Sequence, residues 1–274
     1  MTENYPSFLY HYTSIDVLSL ILKNRTIRFR RLDLMDDPNE AMSRDLGRQG
    51  KYRMVSCWTS KSDEELLIWS LYTKDLRGVR IKLPVFPFIK SYRINQSKVG
   101  FKIAEGDFFD SYFPAEHCFN EMYNIPPIDF KTSLIEVVYT DDDDLLHPKV
   151  LRTGNRTAIV LSELGKYKRT IWKRQTEWRY AFEIFPMTRE ILRVRKQSDW
   201  PQRFGQLMFE AMVREQDPVL QHMDIPISPE MIQSIEITLG PRATESDRTI
   251  VETLLKEFST NFVLLASNLG GKIV

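Results

Sequence analysis

Residues 8–32 read FLYHYTSIDVLSLILKNRTIRFRRL, and this stretch changes structural period twice. Residues 8–12 form a short aromatic and apolar run that predicts a strand. Thr13 or Ser14 then caps a helix. Ile15, Val17, Leu18, Leu20, Ile21 and Leu22 give it a broad apolar face, and Asp16 sits in its first turn. Over 26–32 the period becomes two, with Ile27 and Phe29 on one face and Arg28 and Arg30 on the other. That predicts a strand with one wet side.

Outward from this unit, RMVSCWT (53–59) predicts a buried strand, 62–72 a capped helix, and 78–83 and 133–139 further strands. Asp141 to Asp144 read as an acidic loop entering a helix that runs to about 167. Residues 171–185 contain a strand, and 188–215 are helical with a break at Pro201. The chain ends as strand (232–239), turn (Gly240-Pro241), helix (246–258) and strand (261–266). Residues 84–127, rich in Phe, Tyr and Pro, read as irregular with strand-like pieces and one short helix. Strands and helices mix without regular βαβ alternation, so the expected class is α+β, in one elaborated domain over 1–274.

Composition limits function. A hydrophobic share of 42% beside 27% charged residues marks a globular chain rather than a disordered one. A net charge of +1 means that no global field selects nucleic acid or membrane, so such a partner needs a local patch. An aromatic share of 12% supports a large core and a ring-lined pocket. Cys57 and Cys118 make neither a disulfide framework nor a zinc motif. The N-terminus lacks a signal pattern, and no apolar run nears the roughly 20 residues that span a bilayer. The expected compartment is the cytoplasm, with no membrane partner.

Three segments hold candidate chemistry. In LYHYTS (9–14), His11 ends a strand at an expected sheet edge, where it either meets a ligand or bonds a backbone carbonyl. In VSCWTS (55–60), Trp58 is either a stacking platform or core, with Ser60 capping the next helix. In WKRQTEWR (172–179), alternation puts Trp178, Tyr180, Phe182 and Ile184 inward, and Gln175, Glu177 and Arg179 on the opposite face. A rigidly held Glu177 suits a sugar hydroxyl and an oxocarbenium-like charge; a solvent-facing Glu/Arg ladder is the alternative. On that second face, a Glu177→Gln change is expected to leave the core untouched. Lys166, Lys168, Arg169, Lys173, Arg174 and Arg179 interleave with Tyr167, Trp172 and Trp178, which suits a pyrophosphate or a nucleic-acid strand, or is a solvated basic face. Asp36, Asp37 and Glu40 form either a structural turn or a divalent-cation site.

The pieces LYHYTS…LILKNRTIRF, DPNE, VSCWTS, W…TEWRY and IEITLGP, in this order over about 8–240, resemble a widespread, largely uncharacterised bacterial domain family. The opening segment is also similar to the start of ADP-ribosyltransferase folds, including the DNA-targeting toxin branch and the RNA 2′-phosphotransferases. That resemblance implies a split mixed β-sheet with flanking helices, and a triad of His, an aromatic residue and Glu. It implies that His11, beside Tyr12 and Thr13, binds a ribose hydroxyl and the nicotinamide amide of NAD. Trp58 would stack on nicotinamide, and Glu177 would hold the 2′-hydroxyl of the nicotinamide ribose. Gln175-Thr176-Glu177 is similar to the Gln-x-Glu form of the catalytic strand. The aromatic slot holds Trp where the family has Tyr, and 84–165 has no counterpart.

The expected function is therefore NAD-dependent transfer of ADP-ribose to a nucleic acid or protein, or cleavage of NAD. His11 and Glu177 are the expected catalytic residues; Arg28, Arg30, Gln175 and Arg179 join them in binding NAD. Two other classes stay open: a non-catalytic nucleic-acid-binding module on the basic stretch, and a metal-dependent hydrolase or nuclease on Asp36, Asp37 and Glu40.

Overall fold

The computed structural model describes residues 5–98, 105–154, 157–194 and 197–272. Nine strands form one mixed sheet: β1 (Phe8–Thr13), β2 (Thr26–Arg31), β3 (Arg53–Thr59), β4 (Val79–Pro84), β5 (Leu134–Glu136), β6 (Glu177–Glu183), β7 (His222–Pro226), β8 (Glu236–Leu239) and β9 (Val263–Leu265). Their path is β7-β2-β3-β1-β4-β8-β9, with β6 on β3 and β5 on β6. Every pairing is antiparallel except β8 with β9. The larger helices are α1 (Ile15–Asn24), α2 (Leu66–Tyr72), α3 (Trp200–Val213) and α4 (Glu245–Phe258). This is a mixed α+β fold.

The opening unit forms as its pattern dictates. Ser14 caps α1 by accepting from the backbone N–H of Val17, and Arg25 ends the helix in the left-handed region at φ 53°. The turn feeds directly into β2, where Ile27 and Phe29 are buried and Arg28 and Arg30 exposed. Phe29 sits in a ring cluster with Phe88, Phe130 and Phe182, at centroid distances of 5.3–5.6 Å. Burying each such ring contributes about 1.5–3 kcal/mol. The core therefore lies on the Ile27/Phe29 face, which leaves the arginine face for something else.

The sheet forks at β3. One edge of β3 carries β6 along its whole length, from Glu177↔Thr59 to Glu183↔Arg53. The other edge is shared: β2 pairs with its start, at Val55 and Met54, and β1 touches only its end, at Thr59. β1 and β2 thus diverge, and a gap opens between them beside Cys57. The fork also corrects the expected position of β1, which is interior between β3 and β4 rather than at an edge.

Other expectations need correction. The helix expected after Asp141–Asp144 is a single turn, Asp143–Leu146, followed by a small hairpin of Leu151–Arg152 with Ala158–Ile159. Ser60 caps nothing, since α2 starts at Leu66 behind Glu65. Residues 170–175 are a 3₁₀ helix rather than strand, and Thr176 turns into β6 at φ 41°. Pro201 falls in the first turn of α3, where its missing N–H costs nothing. In the irregular middle, short strands Tyr92–Asn95 and Phe108–Ser111 and the helical turn Ala115–Cys118 match the pieces expected there; 99–104 lie outside the described residues.

Gly78, at the entry to β4, has the strand end of β1 against it. A Cβ there would lie 2.2 Å from the carbonyl oxygen of Thr13 and 2.5 Å from Cγ2 of Thr73. Backbone cannot yield as a side-chain tip does. Gly78→Ala is expected to destabilise by about 1–3 kcal/mol, seen as a lower urea midpoint at unchanged slope.

Candidate functional site

A cavity of about 300 Å³ opens over the fork. Six separated stretches of chain line it, among them β1 with His11 and Tyr12, β2 with Arg28 and Arg30, β3 with Trp58, and the entry to β6 with Gln175 and Glu177. Ile68 and Tyr72 of α2 complete the lining together with Leu34, Met35 and Asp36. α2 is held there by a small satellite core of Tyr10, Tyr12, Ile68 and Trp69, in which Tyr12 and Trp69 meet edge to face at 4.7 Å. Thr13 and Arg179 are the two expected site residues that do not reach the cavity wall.

His11 owes its place to the fork. The edge of β3 at Cys57 lacks a strand partner, and the His11 imidazole supplies one: its Nδ1 lies 3.0 Å from the Cys57 carbonyl oxygen. A carbonyl only accepts, so Nδ1 carries the proton and Nε2 keeps a lone pair. The backbone-bonded reading of His11 holds, with Nε2 left as an acceptor. Burial lowers its pKa below the ordinary 6.5, and the bond to Cys57 only partly opposes this.

The sign of the stability effect follows. Between the lowered folded value and 6.5 the unfolded chain binds the extra proton, so stability is full above 6.5 and falls as the pH drops below it. The expected result is a melting temperature that is flat with respect to His11 above about pH 7 and declines on acidification below 6.5. In His11→Gln the decline should begin only in the carboxylate range. A wild-type profile identical to that of the variant would remove the effect from His11.

Trp58 is 3% exposed. Its indole N–H donates to Ser56 Oγ at 3.1 Å, and its ring lies 5.0 Å from His11 and 6.2 Å from Tyr180. It packs behind His11 as a wall, not as the free stacking platform expected of it.

The face of β6 carrying Glu177 and Arg179 is not wet. Glu177 is 4% and Arg179 0% exposed. Arg179 grips both Glu177 oxygens, with Nε at 2.7 Å from Oε1 and Nη2 at 3.0 Å from Oε2. Its Nη1 donates to Glu40 and, at 2.9 Å, to the Gly165 carbonyl. Lys168 Nζ lies 3.1 Å from Glu177, 3.3 Å from Glu40 and 2.8 Å from the Gln175 side-chain oxygen. Two carboxylates and two cations thus cancel in a buried square. Burial alone would raise the Glu177 pKa, but the Arg179 and Lys168 charges outweigh it and hold it at about 2. Beside it, burial reinforced by the Glu177 charge pushes the Cys57 thiol well up, so Cys57 is not a nucleophile.

This square also bears on two sets of alternatives left open by the sequence. Glu40 is committed to Arg179 and Lys168, and Asp37 accepts from the backbone N–H of Asn39, as in the structural-turn reading. Among the described residues no group of three or more His, Cys, Asp or Glu side chains is placed to hold a metal. The basic stretch is likewise divided. Lys168 and Arg179 are buried, Lys166 pairs with Glu163, and Arg169 with Asp143, while Lys173 and Arg174 stay exposed on the 3₁₀ helix. Lys173 therefore does not share the face of Glu177.

On β2, Arg28 forms a two-bond pair with Asp224 of β7 at 2.8 and 3.0 Å. Arg30 is exposed at the cavity and makes no ion pair among the described residues. Tyr72 was not signalled by the sequence: its hydroxyl accepts from the Gln175 amide at 2.8 Å, from a helix 103 positions away. Among the described residues no helix is long and apolar enough to cross a membrane. Comparison with known proteins finds no family model, no curated protein and no solved structure that matches this chain.

Proposed function

We propose that the cleft binds NAD and cleaves its N-glycosidic bond, passing ADP-ribose to a macromolecule or to water, on an ADP-ribosyltransferase-like fold. The observation that carries this reading is the cavity itself, which gathers His11, Tyr12, Arg28, Arg30, Trp58, Gln175 and Glu177 from four parts of the chain. About 300 Å³ suits the nicotinamide-ribose half of the dinucleotide, near the lower bound of ligand pockets. The lone pair on His11 Nε2 accepts from an amide N–H or a ribose hydroxyl. Arg30, without an ion pair among the described residues where Arg28 has one, faces the pyrophosphate.

In the reaction the bond from the nicotinamide nitrogen to ribose C1′ breaks, and its electron pair leaves with neutral nicotinamide. C1′ gains positive character. The acceptor oxygen or nitrogen then bonds to C1′ and gives up its proton to solvent water. Glu177 stays ionised across the working pH range; its Oε2 already accepts from Arg179 and Lys168, and its Oε1, bonded to Arg179 Nε, keeps the lone-pair capacity to hold the 2′-hydroxyl. Exposed Lys173 and Arg174, near the entry to β6, are the basic side chains left to engage an acidic acceptor.

The test is incubation of the purified protein with NAD, following free nicotinamide and mass shifts on DNA, RNA and protein acceptors. Nicotinamide release above background is expected. No release, together with no NAD binding by calorimetry, overturns the reading.

A further inference from the structure

Lys168, Gln175 and Tyr72 form a chain of hydrogen bonds that has only one possible polarity. The Lys168 ammonium, held between the Glu40 and Glu177 carboxylates, has donors and no acceptor. Gln175 must turn its oxygen toward it, at 2.8 Å. That leaves the Gln175 NH₂ to donate to Tyr72 Oη, also at 2.8 Å. The phenol is thereby an acceptor toward Gln175, and its own hydrogen finds no protein acceptor among the described residues. Tyr72 lines the cavity and is half-buried, with its hydroxyl beside the Gln175–Glu177 pair.

We infer that Tyr72 is a ligand-binding residue of the cleft, a hydrogen-bond donor whose polarity Lys168 sets through Gln175, selecting a ligand with an acceptor oxygen at that point. The identity of the ligand rests on the NAD reading above; the polarity of the phenol does not. Burial and the nearby Glu177 charge raise the Tyr72 pKa far above its ordinary value, so the donor proton is retained at any working pH. A second wall residue, His11, accepts through Nε2. A ribose satisfies both, because each of its hydroxyls donates and accepts while its ring oxygen only accepts. The same chain removes Gln175 from any direct contact with an acceptor molecule: it is 3% exposed, with both ends of its amide engaged.

The experiment is isothermal titration of wild type, Tyr72→Phe, Gln175→Glu and the double variant with NAD, ADP-ribose and the four common mononucleotides, alongside thermal melts. Tyr72→Phe deletes the donor. Gln175→Glu keeps one oxygen for Lys168 and turns the other to Tyr72, so the phenol donates inward and is lost to the ligand. Each single change is expected to weaken binding about five- to tenfold. The double variant should lose no more affinity than either single; Tyr72→Phe should melt close to wild type, and the two variants carrying Gln175→Glu should melt lower, since they add a buried carboxylate to the square. A purely structural Tyr72 would move the melts and leave affinity per folded molecule unchanged. If NAD binds wild type and Tyr72→Phe equally, the inference falls and the NAD reading stands. If only another member of the series binds, and Tyr72→Phe weakens it, the inference stands and the NAD reading falls. Binding by none of them overturns both.

Discussion

Arg179→Met is expected to lower the stability of the folded protein by about 3–5 kcal/mol, the usual cost of stripping one partner from a buried ion pair. Arg179 is fully buried and satisfies Glu40, both oxygens of Glu177 and the Gly165 carbonyl. Methionine fills similar volume, so packing changes little and the loss is electrostatic. What remains is two buried carboxylates against Lys168 alone, a net charge of −1 in a medium that solvates it poorly. The melting temperature should fall by on the order of 10 °C. Adding Glu40→Gln restores neutrality, so the double variant should recover a substantial part of the loss. A single-variant cost below about 1 kcal/mol, or a double variant no better than the single, would show that the square is relaxed by water rather than closed.

That square marks where the sequence stopped being legible. Alternation in β6 correctly assigned Glu177 and Arg179 to one face and Trp178, Tyr180 and Phe182 to the other. It could not say that the polar face is covered too. Coverage comes from Glu40, 139 positions from Arg179, and from Lys168 in a stretch that reads in sequence as a phosphate-binding or solvated basic face. A polar face can be buried whenever its charges cancel, and periodicity carries no information on that.

Local rules did better elsewhere. The cap at Ser14, the period change at Thr26 and the split of Ile27/Phe29 from Arg28/Arg30 depend on neighbours in sequence, and all appear in the structure. The fork of β3 depends on which strand pairs with which over long separations. Hence the sequence offered a carbonyl-bonded His11 and a core Trp58 only as alternatives, and the arrival of Tyr72 at the cavity had no sequence signal. The strand expected within 171–185 is β6, but the alternation that placed Gln175 beside Glu177 runs by coincidence across a left-handed residue, Thr176, out of a 3₁₀ helix.

Glu177→Gln is expected to cut NAD turnover by on the order of 10² or more, comparable to removing one preorganised electrostatic group at a developing charge. The change also costs stability, against the sequence expectation of a mutation that leaves the core untouched. It leaves Lys168 and Arg179 facing Glu40 alone, a surplus buried cation, and the amide cannot accept from Arg179 through both of its ends. Rates must therefore be taken per folded molecule, at a temperature well below the variant's melting point and at saturating NAD. The pH profile supplies an independent check. Because Arg179 and Lys168 hold the Glu177 pKa at about 2, the carboxylate is ionised throughout the range above about pH 4. Its contribution to stability is complete above the ordinary 4.5 and is lost as the pH falls through about 2. Any decline of wild-type turnover between pH 7 and 5 should then belong to His11, and the residual turnover of Glu177→Gln should decline over the same interval. A folded variant that turns NAD over at the wild-type rate would take Glu177 out of the chemistry and leave it as one corner of a structural ion square.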